Sequence, residues 1–332
     1  TRGAARTCPG GPQARSRRVV HLGAGGGAVV ACAVMLKPAP PSRRTRIAGF
    51  VALTKPRIIE LLLVTTVPTM VVAERGLPSL WLMVATVFGG TLAAGGANAI
   101  NMYIDRDIDR LMQRTKNRPL VTGLVQPTEA LIFAIAVEVA AFAFLWAFVN
   151  LYSAVLAVAA CLFYVFVYTI WLKRTSKSNI VIGGAAGAVP VLIGWTAVQN
   201  RLTWAPIVLF AVMFYWTPPH FWALAIRYKD DYAAADVPML PVVASLKTTA
   251  QRILAYTVVL VGLTFLFGAV ADMGALYWVA AVGLGAAFLW FAVDVLRTLS
   301  TSRAMRLFGF SISYVVLLFA AMAADQLLRS GW

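Results

Sequence analysis

The stretch Asn98-AINMYIDRDIDRLMQRTKNRPL-Val121 decides how this chain reads. Three carboxylates and five cationic side chains follow directly on an apolar segment of membrane-spanning character. On a continuous helix Asn101, Asp105 and Asp109 recur every four residues, so all three project from one face, about 6 Å apart along the axis. Asp107 falls on the far side. Carboxylate and amide oxygens in a short column suit a hard cation, and Mg²⁺ usually reaches a protein with substrate phosphates among its ligands. Arg114, Lys116 and Arg118 follow closely and can hold those phosphates by charge-assisted hydrogen bonds. Without that spacing the charges would read as a solvated loop beside a membrane helix. An amide and two acids at strict four-residue intervals argue against that.

Around this stretch the chain is apolar. Of its 332 residues 60% are hydrophobic and 13% charged, with a mean hydropathy of +0.78, the composition of an integral membrane protein. The formal net charge of +16 is no sign of nucleic-acid binding, because 11 of the 29 basic residues lie in the first 57 positions and most others sit in short loops. Cys8, Cys32 and Cys161 have neither a paired nor a metal-ligand spacing.

Nine apolar runs predict an all-α bundle of nine transmembrane helices around a central cavity: 58–73, 80–102, 129–149, 151–172, 179–198, 204–226, 251–271, 274–296 and 305–325. The first is short and contains Glu60. Cations concentrate after runs two, four, six and eight, whereas the intervening loops offer little beyond Arg75 and Arg201. That alternation predicts a cytoplasmic N-terminus, polar loops on the cytoplasmic side, and a C-terminus on the opposite side. Residues 1–46 read as an extension, flexible or spurious, with Met35 a candidate start; Arg15-Ser-Arg-Arg18 before the weak apolar run Val19–Leu36 would also pass for a signal segment. The membrane domain is expected over 47–332.

Six of the 13 acids fall in two places, Asp105, Asp107 and Asp109, then Asp230, Asp231 and Asp236, about 120 residues apart and both after an even-numbered run. Two bundles presenting polar loops to one cavity would produce this echo. The second cluster ends Trp216-TPPHFWALAIRYKDDYAAADVPMLP-Val242, where Pro218-Pro219 is expected to break the sixth membrane helix just before His220. An imidazole at that depth is either a functional group or a packed side chain bonded to a helix carbonyl. Lys173, Arg174, Thr175 and Lys177 read as interface anchors, and Lys173 also as a diphosphate contact. Asn179 opens a helix whose Gly183, Gly184 and Gly187 permit close packing. Asp294 is expected to pair with Arg297, and Glu138 stands mid-span with no evident partner.

These residues resemble the membrane-embedded aromatic prenyltransferase superfamily, and within it the branch that farnesylates heme. The superfamily's Asn-x3-Asp-x3-Asp motif is met by Asn101, Asp105 and Asp109. The branch is suggested by Thr54-Lys55-Pro56-Arg57, Tyr103-IDRDIDRLMQRTKNRPLVTG-Leu124, Asn179-IVIGGAAGAVP-Val191, Thr217-PPHFWALAIRYKDD-Tyr232 and Pro238-MLPVV-Ala244. The superfamily's second motif is commonly Asp-x3-Asp; here Asp230 and Asp231 precede Asp236 by five and four intervening residues, which puts Asp236 in doubt as a ligand.

The resemblance implies farnesyl transfer from farnesyl diphosphate to a vinyl group of heme b with addition of water, giving heme O for heme A and terminal oxidase biogenesis in a bacterial cell membrane. It implies Mg²⁺ on Asn101, Asp105, Asp109, Asp230 and Asp231, with Asn101, Asp105, Asp109 and Asp231 catalytic. Arg114, Lys116, Arg118 and Lys173 would bind diphosphate, and His220, Tyr228 and Tyr232 would face the heme acceptor. Heme A synthase or oxidase assembly proteins are the implied protein partners. A sister enzyme acting on a quinone precursor, phenol or chlorophyllide would share the metal site, and a non-enzymatic transporter would share the helices. The transporter reading places its acids mid-membrane, whereas these gather at one end.

Overall fold

A computed structural model describes residues 42–331, the side chains of 57–63 excepted. Most of the expected extension, with Met35, lies outside the described residues, as do the side chains of Arg57 and Glu60. The described chain is helical throughout, with no strand. A short helix α1 (Arg43–Leu53) precedes α2 (Pro56–Glu74), α3 (Leu80–Ile104), α4 (Pro127–Phe148), α5 (Leu151–Thr175), α6 (Asn179–Gln199), α7 (Trp204–Arg227), α8 (Leu246–Val270), α9 (Ala275–Thr298) and α10 (Thr301–Ser330). The last eight are each long and apolar enough to cross a membrane; the first expected run lies in α2, the shorter of the nine.

Local chemistry sets the starts. The Ser79 hydroxyl accepts from the Leu82 amide at α3, the Asn150 side chain from Ser153 at α5, and Ser245 from Thr248 at α8, each satisfying an amide that the first turn leaves unpaired. Gln126 and Glu129 form a reciprocal cap at α4. Short connections make neighbours antiparallel. Each of α2 to α9 packs on its successor, α10 closes back onto α2, and α2–α6 and α7–α10 contacts divide the interior. A large core of α7 to α10 around Phe267, Tyr277, Phe288, Tyr314 and Phe319 makes one side, and smaller clusters between α3, α4 and α5 make the other.

Two expectations are corrected. Pro218 and Pro219 do not break their helix: α7 is continuous through both, which lie buried, and a proline-freed backbone is tolerated in a span packed against protein. Asp294 pairs with Arg303 at 3.2 Å rather than with Arg297, because Leu299 adopts a left-handed conformation (φ 48°) that turns α10 back along α9.

Candidate active site

α3 ends at Ile104, so the expected continuous helix through Asp109 is not formed. Asp105 closes α3 and the chain passes into a 3₁₀ turn, Ile108–Arg110. The four-residue step nevertheless survives in the backbone, with Asp105 N–H donating to Asn101 O and Asp109 N–H to Asp105 O, both at 2.9 Å. Asn101, Asp105 and Asp109 are therefore all buried, at 3%, 0% and 2% exposure. Asp107 faces outward and receives both Nη atoms of Arg174 at 2.7 Å, a pair that holds its carboxyl down at about 2.

Each buried carboxylate has a cation. Lys173 Nζ donates to Asp105 Oδ2, and Arg118 Nη1 to Asp109 Oδ2 at 2.6 Å. Asn101 Nδ2 donates to Asp105 Oδ2 at 2.8 Å and to Thr169 Oγ1 at 3.1 Å. Asn101 Oδ1 accepts from Lys55 Nζ at 3.0 Å. Burial, then the charges of Arg118 and Lys173, bring the Lys55 ammonium down to about 7, with Asp105 and Asp109 only partly opposing them. Asp105 Oδ1 is buried with no hydrogen-bond partner; Arg174 Nη2 stands 4.0 Å from it. An orphaned carboxylate oxygen within a ring of cations is an anionic lone pair open to a hard cation.

The second loop reaches the first. Ile108 and Met112 pack with Ala225, Val237 and Met239, Tyr168 and Tyr232 lie against the same cluster, and Asp231 Oδ2 accepts from the Arg114 amide at 3.2 Å. This joins the two acidic clusters at one end of the bundle, as the echo suggested, but it does not assemble the expected five metal ligands. Among the described residues no three His, Cys, Asp or Glu side chains converge as a metal group. Asp231 is tied to the first loop's backbone, Asp230 is exposed, and Asp236 is exposed in a left-handed turn (φ 52°). Arg114 is exposed with its guanidinium 6.0 Å from the Tyr228 ring centre, and Lys116 points to Gln113.

Below the cluster lies a cavity of about 290 Å³ with almost wholly apolar walls. α3 contributes Gly90 to Asn98, α5 contributes Ala157 to Tyr168, and α6 contributes Ile180 to Ile193. The fourteen residues from Ile180 to Ile193 of α6 give it a depth of roughly 20 Å. Within α5 the segment Phe163–Leu172 is π-helical, and Lys173 N–H donates to Tyr168 O five residues back. This register brings Tyr164 and Tyr168, stacked 5.4 Å apart, to the cavity and Thr169 and Lys173 to the acids; such π segments recur at functional sites. Gly183 and Gly184 admit Tyr168 and Thr217, whose atoms stand where a Cβ would be.

The structure does not bring His220 to this cavity. Its neighbours Trp216, Thr217 and Phe221 line the wall, while the imidazole stacks on Trp216 (4.4 Å) and Phe308 (4.6 Å) and Nδ1 hydrogen-bonds Ser311 Oγ at 2.7 Å. Glu138 packs over Gly96, beside Cys161. Sequence reasoning missed Lys55, Tyr164, Tyr168 and Thr169 as site residues. Lys55 had one signal, its place in Thr54-Lys55-Pro56-Arg57 at the foot of an apolar run; Tyr164, Tyr168 and Thr169 sit inside an apolar run with no spacing that marks them.

Residues 62–319 match the UbiA prenyltransferase family. A protoheme IX farnesyltransferase of Parafrankia sp. (strain EAN1pec) is 56% identical over 289 residues, 85% of this chain and 91% of that one. Its counterpart in Frankia casuarinae is 54% identical over 285 residues, 84% and 98% of the two chains. Among solved structures, a digeranylgeranylglyceryl phosphate synthase superposes with a TM-score of 0.70 at 17% identity, covering 85% of this chain and 99% of the other. A UbiA homolog from Archaeoglobus fulgidus, bound to GPP and Mg²⁺, superposes with a TM-score of 0.56 at 16% identity, over 82% and 99%.

Proposed function

The chain belongs to the UbiA prenyltransferase family, and from that premise we propose that it is a membrane-embedded transferase that moves a farnesyl group from farnesyl diphosphate onto a vinyl group of heme b. Water adds in the same reaction, giving heme O and diphosphate. Relatives more than half identical over most of the chain bear the name of that activity. The observation that carries the site assignment is the pair of buried carboxylates, Asp105 and Asp109, each matched by a cation, at the head of a deep apolar cavity.

The chemistry follows from that arrangement. The farnesyl C1–O bond breaks as diphosphate leaves, the vinyl terminus forms the new bond to C1, and water bonds to the inner vinyl carbon and loses a proton. Lys173 and Arg118, now paired with the carboxylates, can turn to phosphate oxygens once those carboxylates are otherwise engaged. With Lys55 and Arg114 they place fixed positive charge where negative charge develops. The orphaned Asp105 Oδ1 and the hard-oxygen donors fit Mg²⁺, which takes one or two carboxylates and fills its shell from water and substrate phosphates. Asp105 and Asp109 would hold it, with Asn101 behind them, and Asp231 would join only if its loop moves inward. Bound there, the metal would neutralise the leaving diphosphate as a Lewis acid. Tyr164 and Tyr168 line the cavity beside the acids, where aromatic rings suit an allylic cation. The apolar walls keep water from quenching it early.

The loop charges support a cytoplasmic diphosphate end in a bacterial cell membrane, with the N-terminus cytoplasmic and the C-terminus opposite. Residues 47–332 would make up the catalytic domain. The test is purified protein in lipid vesicles with heme b, farnesyl diphosphate and Mg²⁺, products read by mass. A porphyrin heavier by one farnesyl and one hydroxyl group is expected. An unchanged porphyrin alongside a prenylated phenolic or quinone-type acceptor would overturn the heme assignment and leave the diphosphate site standing.

A further inference from the structure

We propose that a second pocket, at the end of the bundle remote from the carboxylates, binds the phosphate headgroup of an anionic phospholipid. The pocket has a volume of about 360 Å³ and is walled by Arg75, Trp195, Gln199, Arg201, Trp204 and Gln326 with small apolar neighbours. α6 separates the two sites: Asn179 starts it beside Lys173, and Gln199 ends it here, 21 residues or roughly 30 Å away.

The cation distribution is the first observation. Loops on this face are nearly free of positive charge, and the two that break the pattern, Arg75 after α2 and Arg201 after α6, line the same pocket although they are far apart in sequence. Neither guanidinium has an ion-pair or hydrogen-bond partner among the described residues, whereas Arg329 at the same end is paired with Asp272. A second observation is independent of charge. Trp195 is only 8% exposed, lines the pocket, and its indole N–H has no acceptor. Buried N–H groups are ordinarily satisfied, so this one calls for an acceptor in the pocket.

The donor set then selects the ligand class. Arg75, Arg201, Trp195 and Gln326 all line the space, and no carboxylate does. Guanidinium forks match phosphate oxygens geometrically, and no carboxylate lines the pocket to pair with a choline cation, which favours anionic over zwitterionic headgroups. The apolar rim selects an amphiphile over a free ion. Val270 is 41% exposed and Trp204 74% exposed, so the pocket opens onto the surface where acyl chains and headgroups meet.

The test uses the full chain, released from membranes and examined by native mass spectrometry with added phosphatidylglycerol or phosphatidylcholine. Wild type should retain one phosphatidylglycerol in preference to phosphatidylcholine. R75Q/R201Q should lower that affinity about tenfold or more, as expected for lost charge-assisted bonds, and Trp195→Phe should lower it less. A charge-matched control at the other end, K247Q/R306Q, should leave it unchanged. Both pairs are exposed, so their folding is not at stake. Equal retention in R75Q/R201Q, or an equal loss in the control, would overturn the proposal. Displacement by inorganic phosphate or by heme at equal concentration would also overturn it, reassigning the pocket to a free anion or to porphyrin carboxylates.

Discussion

Lys55→Met should make the empty protein more stable and its diphosphate site weaker. Lys55 sits between α1 and α2 with its ammonium 3.0 Å from Asn101 Oδ1, facing the charges of Arg118 and Lys173. Its pKa falls from an ordinary 10.5 to about 7. At 1.36 kcal/mol per unit this makes holding the charged form cost roughly 5 kcal/mol. The folded state therefore binds fewer protons than the unfolded chain between pH 7 and 10.5. Stability rises with pH across that window and stays at its lower level below 7. Methionine removes that penalty and also one hydrogen bond to Asn101, worth about 1 kcal/mol, so a net gain of about 1–4 kcal/mol is expected near pH 7, fading toward pH 10. Diphosphate reverses the preference by raising the Lys55 pKa, so binding takes up a proton and affinity declines as pH rises above 7. Losing one charge-assisted bond should cost the variant about 10- to 100-fold in affinity and flatten this slope. The assay pairs thermal unfolding with calorimetric titration of a non-hydrolysable farnesyl diphosphate analogue at pH 6.5 and 8.5. A variant no more stable than wild type at pH 7, with unchanged affinity, would refute the reasoning.

Asp105→Ala or Asp109→Ala should lower farnesyl transfer by about 100- to 1000-fold, whereas Asp107→Ala, which loses only an exposed pair with Arg174, should stay within about threefold; equal losses at all three, measured by product mass, would dissolve the distinction between buried and exposed acids. Chelating divalent metal should stop transfer and added Mg²⁺ restore it, and full turnover in excess chelator would count against a metal at Asp105. His220→Ala should lower stability by about 1–3 kcal/mol through the lost Ser311 bond and ring stacking and leave diphosphate affinity intact. Heme titration at the Soret band runs in parallel, and weaker heme binding at unchanged stability would return His220 to the acceptor side. Deleting residues 1–34 should leave membrane insertion and transfer unchanged in a vesicle assay, and failure to insert would make that stretch a targeting segment.

What could be read in advance divides along the range of the interactions involved. The membrane helices were legible because hydrocarbon imposes a length and an apolar composition that need no tertiary knowledge; α3, for example, ends two residues beyond its expected boundary and α6 one. Asn101, Asp105 and Asp109 were legible because their relation is local, and the four-residue backbone step persists even where the regular helix stops. The departures depend on how elements fold back on one another, which local spacing does not give. Asp294 took Arg303 instead of the cation one turn away because a left-handed Leu299 folded α10 back. Asp231, expected at the metal, accepts from an amide 117 residues earlier, a contact that no local spacing announces. Pro218 and Pro219 looked like a break because proline removes local donors, but α7 runs continuous through them, both buried against neighbouring helices. Lys55 is the most instructive, since its motif Thr54-Lys55-Pro56-Arg57 suggests the branch without saying what the ammonium meets. Its depressed pKa arises only when α3, the loop of Arg118 and the π-helical end of α5 deliver Asn101, Arg118 and Lys173 to one point. A cation forced into a cationic site is destabilising until a polyanion arrives, and that deferred stabilisation is what a diphosphate-binding site requires.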